Sequence, residues 1–222
     1  MRKLATAFLV LLGLSLLAAN GFALDLRRHS MPSNRQVHLH SPAMIQAVLG
    51  CDDGYVFNAY YQNSDDRLGN YFSFGATARL SRVAFAHYGF GFSGPYQYNL
   101  EVWDPASCTF VTGKNGLVAQ DAASDVAVED VDLCSDNIMV SGNMMIMIDP
   151  NSCLAPDDCY PDLMFDDQVD VACPVIINNA STAPECFDIS PYSGPFLLRV
   201  ETDNCPVPAK KTSWGELKTL YR

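Results

Sequence analysis

Tyr98-Asn99-Leu100-Glu101-Val102-Trp103 alternates two classes of side chain, apolar at Tyr98, Leu100 and Val102 and largely polar between them. Successive side chains of an extended chain point to opposite faces, so this spacing reads as a strand with one face in a core. Trp103 falls on the polar phase, which predicts an exposed ring. Phe196, Leu198 and Val200 repeat the pattern against Leu197, Arg199 and Glu201, and Val83 and Phe85 repeat it against Arg82, Ala84 and Ala86. Val126 and Val128 are out of phase with Val131 and Leu133, which predicts a β-bulge at Glu129-Asp130. Met144 to Ile148 is apolar on both phases and reads as an inner strand. Tyr55–Tyr61, Tyr71–Gly75, Gly116–Gln120 and Leu163–Phe165 are further strand candidates. Turn clusters separate them, among them Ser64-Asp65-Asp66, Ser135-Asp136-Asn137 and Ser193-Gly194-Pro195. No helical periodicity alternates with these strands, which argues against a parallel βαβ sheet. The fold class is all-β: an antiparallel two-sheet sandwich.

The ends of the chain read differently. Met1-Arg2-Lys3 precedes an apolar run from Leu4 to Ala19, and Gly21-Phe22-Ala23 supplies small residues for a cut after Ala23. This is the pattern of a signal peptide, 1–23. Cleavage takes two positive charges from a total of −11 and leaves 199 residues at −13. Residues 24–50 form a basic, polar linker with room for a short helix over Ala43–Leu49, where Pro42 would be its first residue and Gly50 its stop. Residues 51–205 form the sandwich domain. Residues 206–222 begin with a linker carrying Pro206, Pro208 and Lys210-Lys211. They continue as Ser213-Trp214-Gly215-Glu216, a capping-box spacing, with Trp214, Leu217, Leu220 and Tyr221 on one helical stripe. An apolar stripe that short is not stable as a helix alone, so Trp214, Gly215, Leu217 and Leu220 are candidate sorting or docking residues.

Hydrophobic residues at 49% exclude a disordered chain, and 25 acidic against 14 basic residues exclude a nucleic-acid partner. The eight cysteines, Cys51, Cys108, Cys134, Cys153, Cys159, Cys173, Cys186 and Cys205, all follow the leader. An even number in an exported chain without any C-x-x-C reads as a structural disulfide framework. Local pairing gives Cys153–Cys159, Cys173–Cys186 and Cys108–Cys134, with Cys51–Cys205 closing the domain. Localisation is then secreted or cell-surface, with no membrane span once the leader is removed.

Cys51-Asp52-Asp53-Gly54, then Asn58-Ala59, then Val102-Trp103-Asp104, then Val140-Ser141-Gly142-Asn143-Met144 occur in order along the chain. The set resembles a family of β-sandwich modules of secreted bacterial proteins. That resemblance implies a jelly-roll-like sandwich, an accessory role beside other domains and no assigned activity. The Trp214-Gly215 tail resembles short C-terminal sorting signals of exported bacterial proteins.

Candidate chemistry is sparse. Gly89-Phe90-Gly91-Phe92-Ser93-Gly94 matches G-x-G-x-x-G, but Pro95 and another strand follow it, so it reads as a loop between strands. Asp52, Asp53 and Asp166 are the best oxygen ligands for calcium, the one cofactor considered; no D-x-D-x-D-G loop is present. Tyr60, Tyr61 and Trp103 are the aromatic residues best placed to stack on a sugar ring. No G-x-S-x-G is present and no unpaired cysteine is expected. The reading is a secreted, non-catalytic sandwich with a structural, adhesive or accessory role at the bacterial surface or outside the cell. Its partner is a cell-surface or extracellular protein, or a glycan. The alternative is a carbohydrate-binding module that uses calcium; the third is a hydrolase.

Overall fold

The computed structural model describes residues 28–36, 48–51, 55–60, 64–155, 158–166, 173–178, 183–189, 194–203 and 205. All of its regular structure is strand. In chain order these are β1 (Arg28–Gln36), β2 (Val48–Leu49), β3 (Tyr55–Tyr60), β4 (Asp66–Tyr88) and β5 (Tyr96–Asp104). Next come β6 (Thr109–Ala119), β7 (Ala127–Asp132), β8 (Met139–Pro150), β9 (Ser152–Ala155) and β10 (Asp158–Tyr160). The last four are β11 (Asp162–Phe165), β12 (Pro174–Asn178), β13 (Glu185–Asp188) and β14 (Leu198–Thr202). Every pairing between them is antiparallel.

β4 organises the molecule. At 23 residues it is too long to lie flat in one sheet of a small sandwich. Its first half, through Phe74, lies between β12 and β8. The pairing with β8 slips between Phe74 and Ala78, where Gly75, Ala76 and Thr77 are exposed. Its second half, from Leu80, pairs with β7 and β14, and its end pairs with β11. One strand thus serves both sheets. The first contains β13, β12, β4, β8, β5 and β6; the second contains β7, β4, β14 and β2, and β11 continues it to β3 and β1.

The inward phases of both sheets meet in one core. Phe72 and Phe74 of β4, Tyr98, Leu100 and Val102 of β5, and Ile146 and Ile148 of β8 pack with Val83, Phe85, Val131, Leu163, Phe196, Leu198 and Val200. Phe85 and Tyr98 meet edge to face across the sheets, with ring centroids 5.3 Å apart. The inner-strand reading of Met144–Ile148 holds: β8 is sandwiched between β4 and β5, and Met145 to Ile148 are buried.

A buried polar group bolts the two sheets of this core together. Asn70 sits on the inward phase of β4 and is fully buried. Its Nδ2 donates to the carbonyl of Phe196 at 2.7 Å, and its Oδ1 accepts the Phe196 N–H at 3.0 Å. The side-chain amide satisfies both backbone groups of a residue that continues into β14.

The structure revises four expectations. Within the stretch expected to be a linker, β1 pairs with β3 and β2 with β14. Val48 and Leu49 end no helix, because their backbones complete the edge of β14; the rest of the expected helix lies outside the described residues. There is no bulge at Glu129-Asp130: β7 runs in unbroken register with β4 from Ala127 to Asp132. The phase change arises because Glu129, not a valine, occupies the inward position. Three disulfides also differ from local pairing. Cys153–Cys159 is as expected, but the others are Cys51–Cys173, Cys108–Cys186 and Cys134–Cys205. Sheet order, not chain proximity, sets which cysteines meet, and loops of 71 to 122 residues are closed. Long closed loops restrict the unfolded chain most.

Asn70→Ala removes the side-chain acceptor of the buried Phe196 N–H and one of two donors to its carbonyl, which keeps the Leu198 N–H. We expect it to lower the unfolding free energy by about 2–4 kcal/mol in denaturant melts with the disulfides intact.

Candidate interaction surface and the buried polar sites

The β5–β6 hairpin brings the sequence-selected Trp103 to its place. Asp104 accepts the Ala106 N–H and the Ser107 hydroxyl, which hold its carboxyl below the usual range and tighten the turn. Cys108 follows with φ of 51° and returns the chain into β6.

Trp103 is buried, at 4% exposure, not exposed as its phase suggested. The far face of its sheet is a second apolar layer: Trp103, Met145, Met147, Val175 and Ile177, with Tyr71, Cys108 and Cys186 packed against it. The Cys108–Cys186 bridge ties the β5–β6 turn to β13 at this layer. The indole Nε1–H donates to Glu101 Oε2 at 2.7 Å. Arg67 donates through Nε to the same oxygen at 2.9 Å and lies 5.9 Å from the Trp103 ring centroid. Asp149 completes the group, 3.6 Å from Arg67 and accepting from Asn99 Nδ2. Burial lifts the Asp149 carboxyl above its ordinary range, against the pull of Arg67. These polar groups hold the indole in place and leave no face of it open to a sugar ring.

Tyr60 lies in β3, whereas Tyr61, Asp52, Asp53, Trp214, Gly215, Leu217 and Leu220 lie outside the described residues. Asp166 is fully buried, and its N–H donates to the Pro195 carbonyl. Among the described residues no three His, Cys, Asp or Glu side chains are grouped to hold a metal ion. All eight cysteines are bonded. The glycine-rich loop has spent its amides within the fold: Gly89 and Gly91 donate to Ala122 and Ala123, Phe92 to Gly89, and Gly94 to Asp121. A phosphate would find none of these N–H groups free.

Sequence reading missed a second buried polar group. His87 is fully buried on β4, and its Nε2 lies 3.2 Å from Glu129 Oε1. The same oxygen accepts the Gln120 N–H at 2.8 Å. Burial works against the Glu129 carboxylate, but the bonds from His87 and Gln120 outweigh it, and the carboxyl ends below its ordinary range. Around it, burial lifts the phenols of Tyr96, Tyr98 and Tyr160, so all three stay protonated at neutral pH. The signal was present in the sequence as a glutamate on the apolar phase of β7.

Two surface features remain. A pocket of about 350 Å³ lies beside the Cys51–Cys173 bridge, lined among the described residues by Leu49, Gly50, Tyr71, Phe72 and Ser73, none of them charged. The other is β6. Among the described residues it pairs with β5 alone and ends the strand order of its sheet. Among the described residues, three of the five large apolar side chains that are exposed lie on it: Phe110 at 51%, Val111 at 48% and Val118 at 57%. Exposed apolar side chains along an edge strand mark a candidate interaction surface.

Glu129 has a depressed folded-state pKa, so its contribution is present above the carboxylate's unfolded pKa and is lost as pH falls through the folded one. Glu129→Gln should cost about 1–2 kcal/mol at pH 7. It should also flatten the acid limb of a stability–pH profile below about pH 4.5. An unchanged acid limb would show that the His87–Glu129 pair does not contribute.

No protein-family model matches this chain, and no curated protein matches it.

Proposed function

We propose that the protein is a secreted, non-catalytic sandwich with a structural or adhesive role at the bacterial surface or outside the cell. In this reading it is a relative of the Asp-Asp-Gly modules it resembles. The observation that carries the reading is where the chemistry-bearing residues go: they hold the fold. Glu101 is bonded to Arg67 and Trp103, Glu129 is bonded to His87, and every cysteine is bonded. Four bridges suit an oxidising compartment outside the cytoplasm, and no helix among the described residues is long and apolar enough to cross a membrane. The exposed apolar side chains of β6 give such a protein a surface for a protein partner. Residues 206–222 serve as its sorting or docking handle.

Two measurements test this. The purified mature protein should bind other surface proteins in pull-downs from the native cell envelope and give no signal on a glycan array, with or without chelator. Glycan binding abolished by chelator would favour the calcium-dependent carbohydrate reading instead. Deleting residues 207–222 should shift the protein from the surface fraction to the medium, and unchanged localisation would remove the handle.

A further inference from the structure

We propose that Asn115, in β6, is a site of spontaneous covalent modification: its side chain closes on the Gly116 nitrogen, loses ammonia, and opens with water to an isoaspartyl or aspartyl residue. The strand ladder is interrupted at this dipeptide. Tyr98 pairs with Leu117 and Leu100 with Lys114, so the single residue Asn99 of β5 faces both Asn115 and Gly116 of β6. This is a β-bulge, and Gly116 takes the left-handed φ of 67° that glycine tolerates. The Gly116 N–H donates to a side chain, Asn99 Oδ1, at 3.0 Å. A side-chain amide can turn away without breaking the ladder on either side.

The site is also open. Asn115 and Gly116 are both exposed, and among the described residues β6 pairs with β5 alone. Nothing lies within 4 Å of the place a Cβ on Gly116 would take. Glycine after asparagine leaves the attacking nitrogen unhindered, and the exposure of both residues admits water.

The step needs no other reactant. The Gly116 nitrogen loses its proton to solvent and bonds to Asn115 Cγ. The Cγ–Nδ2 bond breaks, and Nδ2 takes up a proton and leaves as ammonia. One water then opens the cyclic imide. Opening at one carbonyl gives aspartate; opening at the other gives isoaspartate, whose main chain runs through Cγ and is one methylene longer. Either product puts a carboxylate next to Lys114, whose Nζ is already bonded to Asp136.

Asn99 is the positioning residue. Its Nδ2 donates to Asp149 Oδ2 at 2.9 Å, and Asp149 lies 3.6 Å from Arg67. This chain of partners orients Asn99 Oδ1 toward the Gly116 N–H and holds the nitrogen back from Asn115.

The test ages the folded mature chain in warm, mildly alkaline buffer and maps its peptides by mass. The peptide holding Asn115 should gain the mass of an amide-to-acid change, as two isomers, one of them a substrate for an isoaspartyl methyltransferase. Heavy-oxygen water should place one label in the new acid. Asn99→Ala should speed the conversion by about fivefold, the effect of losing one ordinary hydrogen bond, while amide exchange over Met145–Ile148 stays unchanged. Asn115→Ser should abolish the gain in that peptide. Conversion in the unfolded, reduced chain with none in the folded chain would overturn the proposal. A product that is aspartyl alone would overturn the ring-closing route, and an unchanged rate in Asn99→Ala would overturn the role of Asn99.

Discussion

Asn70 holds both backbone polar groups of Phe196, and much of the architecture follows from that pair of bonds. An amide side chain has a peptide's donor and acceptor, so it can stand in for a strand where no strand fits. Phe196 needs such a partner because it enters the core between the two sheets. Its neighbour Leu197 donates to Met164 and accepts from Ala86, and Asp166 donates to Pro195. Asn70 closes this set from the opposite sheet. An unpaired amide group at that depth costs more than a formed hydrogen bond contributes, so the bolt fixes the register of Phe196 against β4.

β4 imposes the second constraint. Because one strand serves both sheets, a slip in either half would carry its inward residues to the wrong face. The disulfides hold the partners of that strand. Cys51–Cys173 joins the chain after β2 to the start of β12, and Cys134–Cys205 joins the end of β7 to the end of β14. β12 and β14 are neighbours of β4 in different sheets. The bridges therefore fasten the two halves of the spine separately, and this explains why they span so much sequence.

How much of this was legible in the sequence depended on how local its cause was. A period of two identified β5 and β14, since burial of one face follows directly from alternation, and a run apolar on both phases identified β8 as an inner strand. The all-β class and the oxidised cysteines followed from equally local signs. The burial of Trp103 was not legible, because its phase is polar only in composition: Glu101 and Asn99 are there to bond Trp103 and Asp149, beneath a layer that includes β12 residues far along the chain. The bulge inferred at Glu129-Asp130 failed for a related reason. Alternation treats a glutamate as outward-facing, and Glu129 is inward because His87, 42 residues earlier, meets it. Disulfide pairing was illegible except at Cys153–Cys159, where a hairpin of β9 and β10 makes the contact local.

Charge and edges set where another molecule can approach the sandwich. Residues 48–205 carry 23 acidic against five basic side chains, and like charge opposes association over most of that surface. Repulsion does not protect β6, whose one charge, Lys114, is turned onto Asp136. The strand is left with its slips of register and its glycines, which spoil a ladder but do nothing to hide Phe110, Val111 and Val118. An apolar edge on an otherwise repulsive surface has to be covered or used. The basic residues absent from the body of the domain are concentrated in the segments on either side of it, with Lys210, Lys211, Lys218 and Arg222 in the one that follows Cys205.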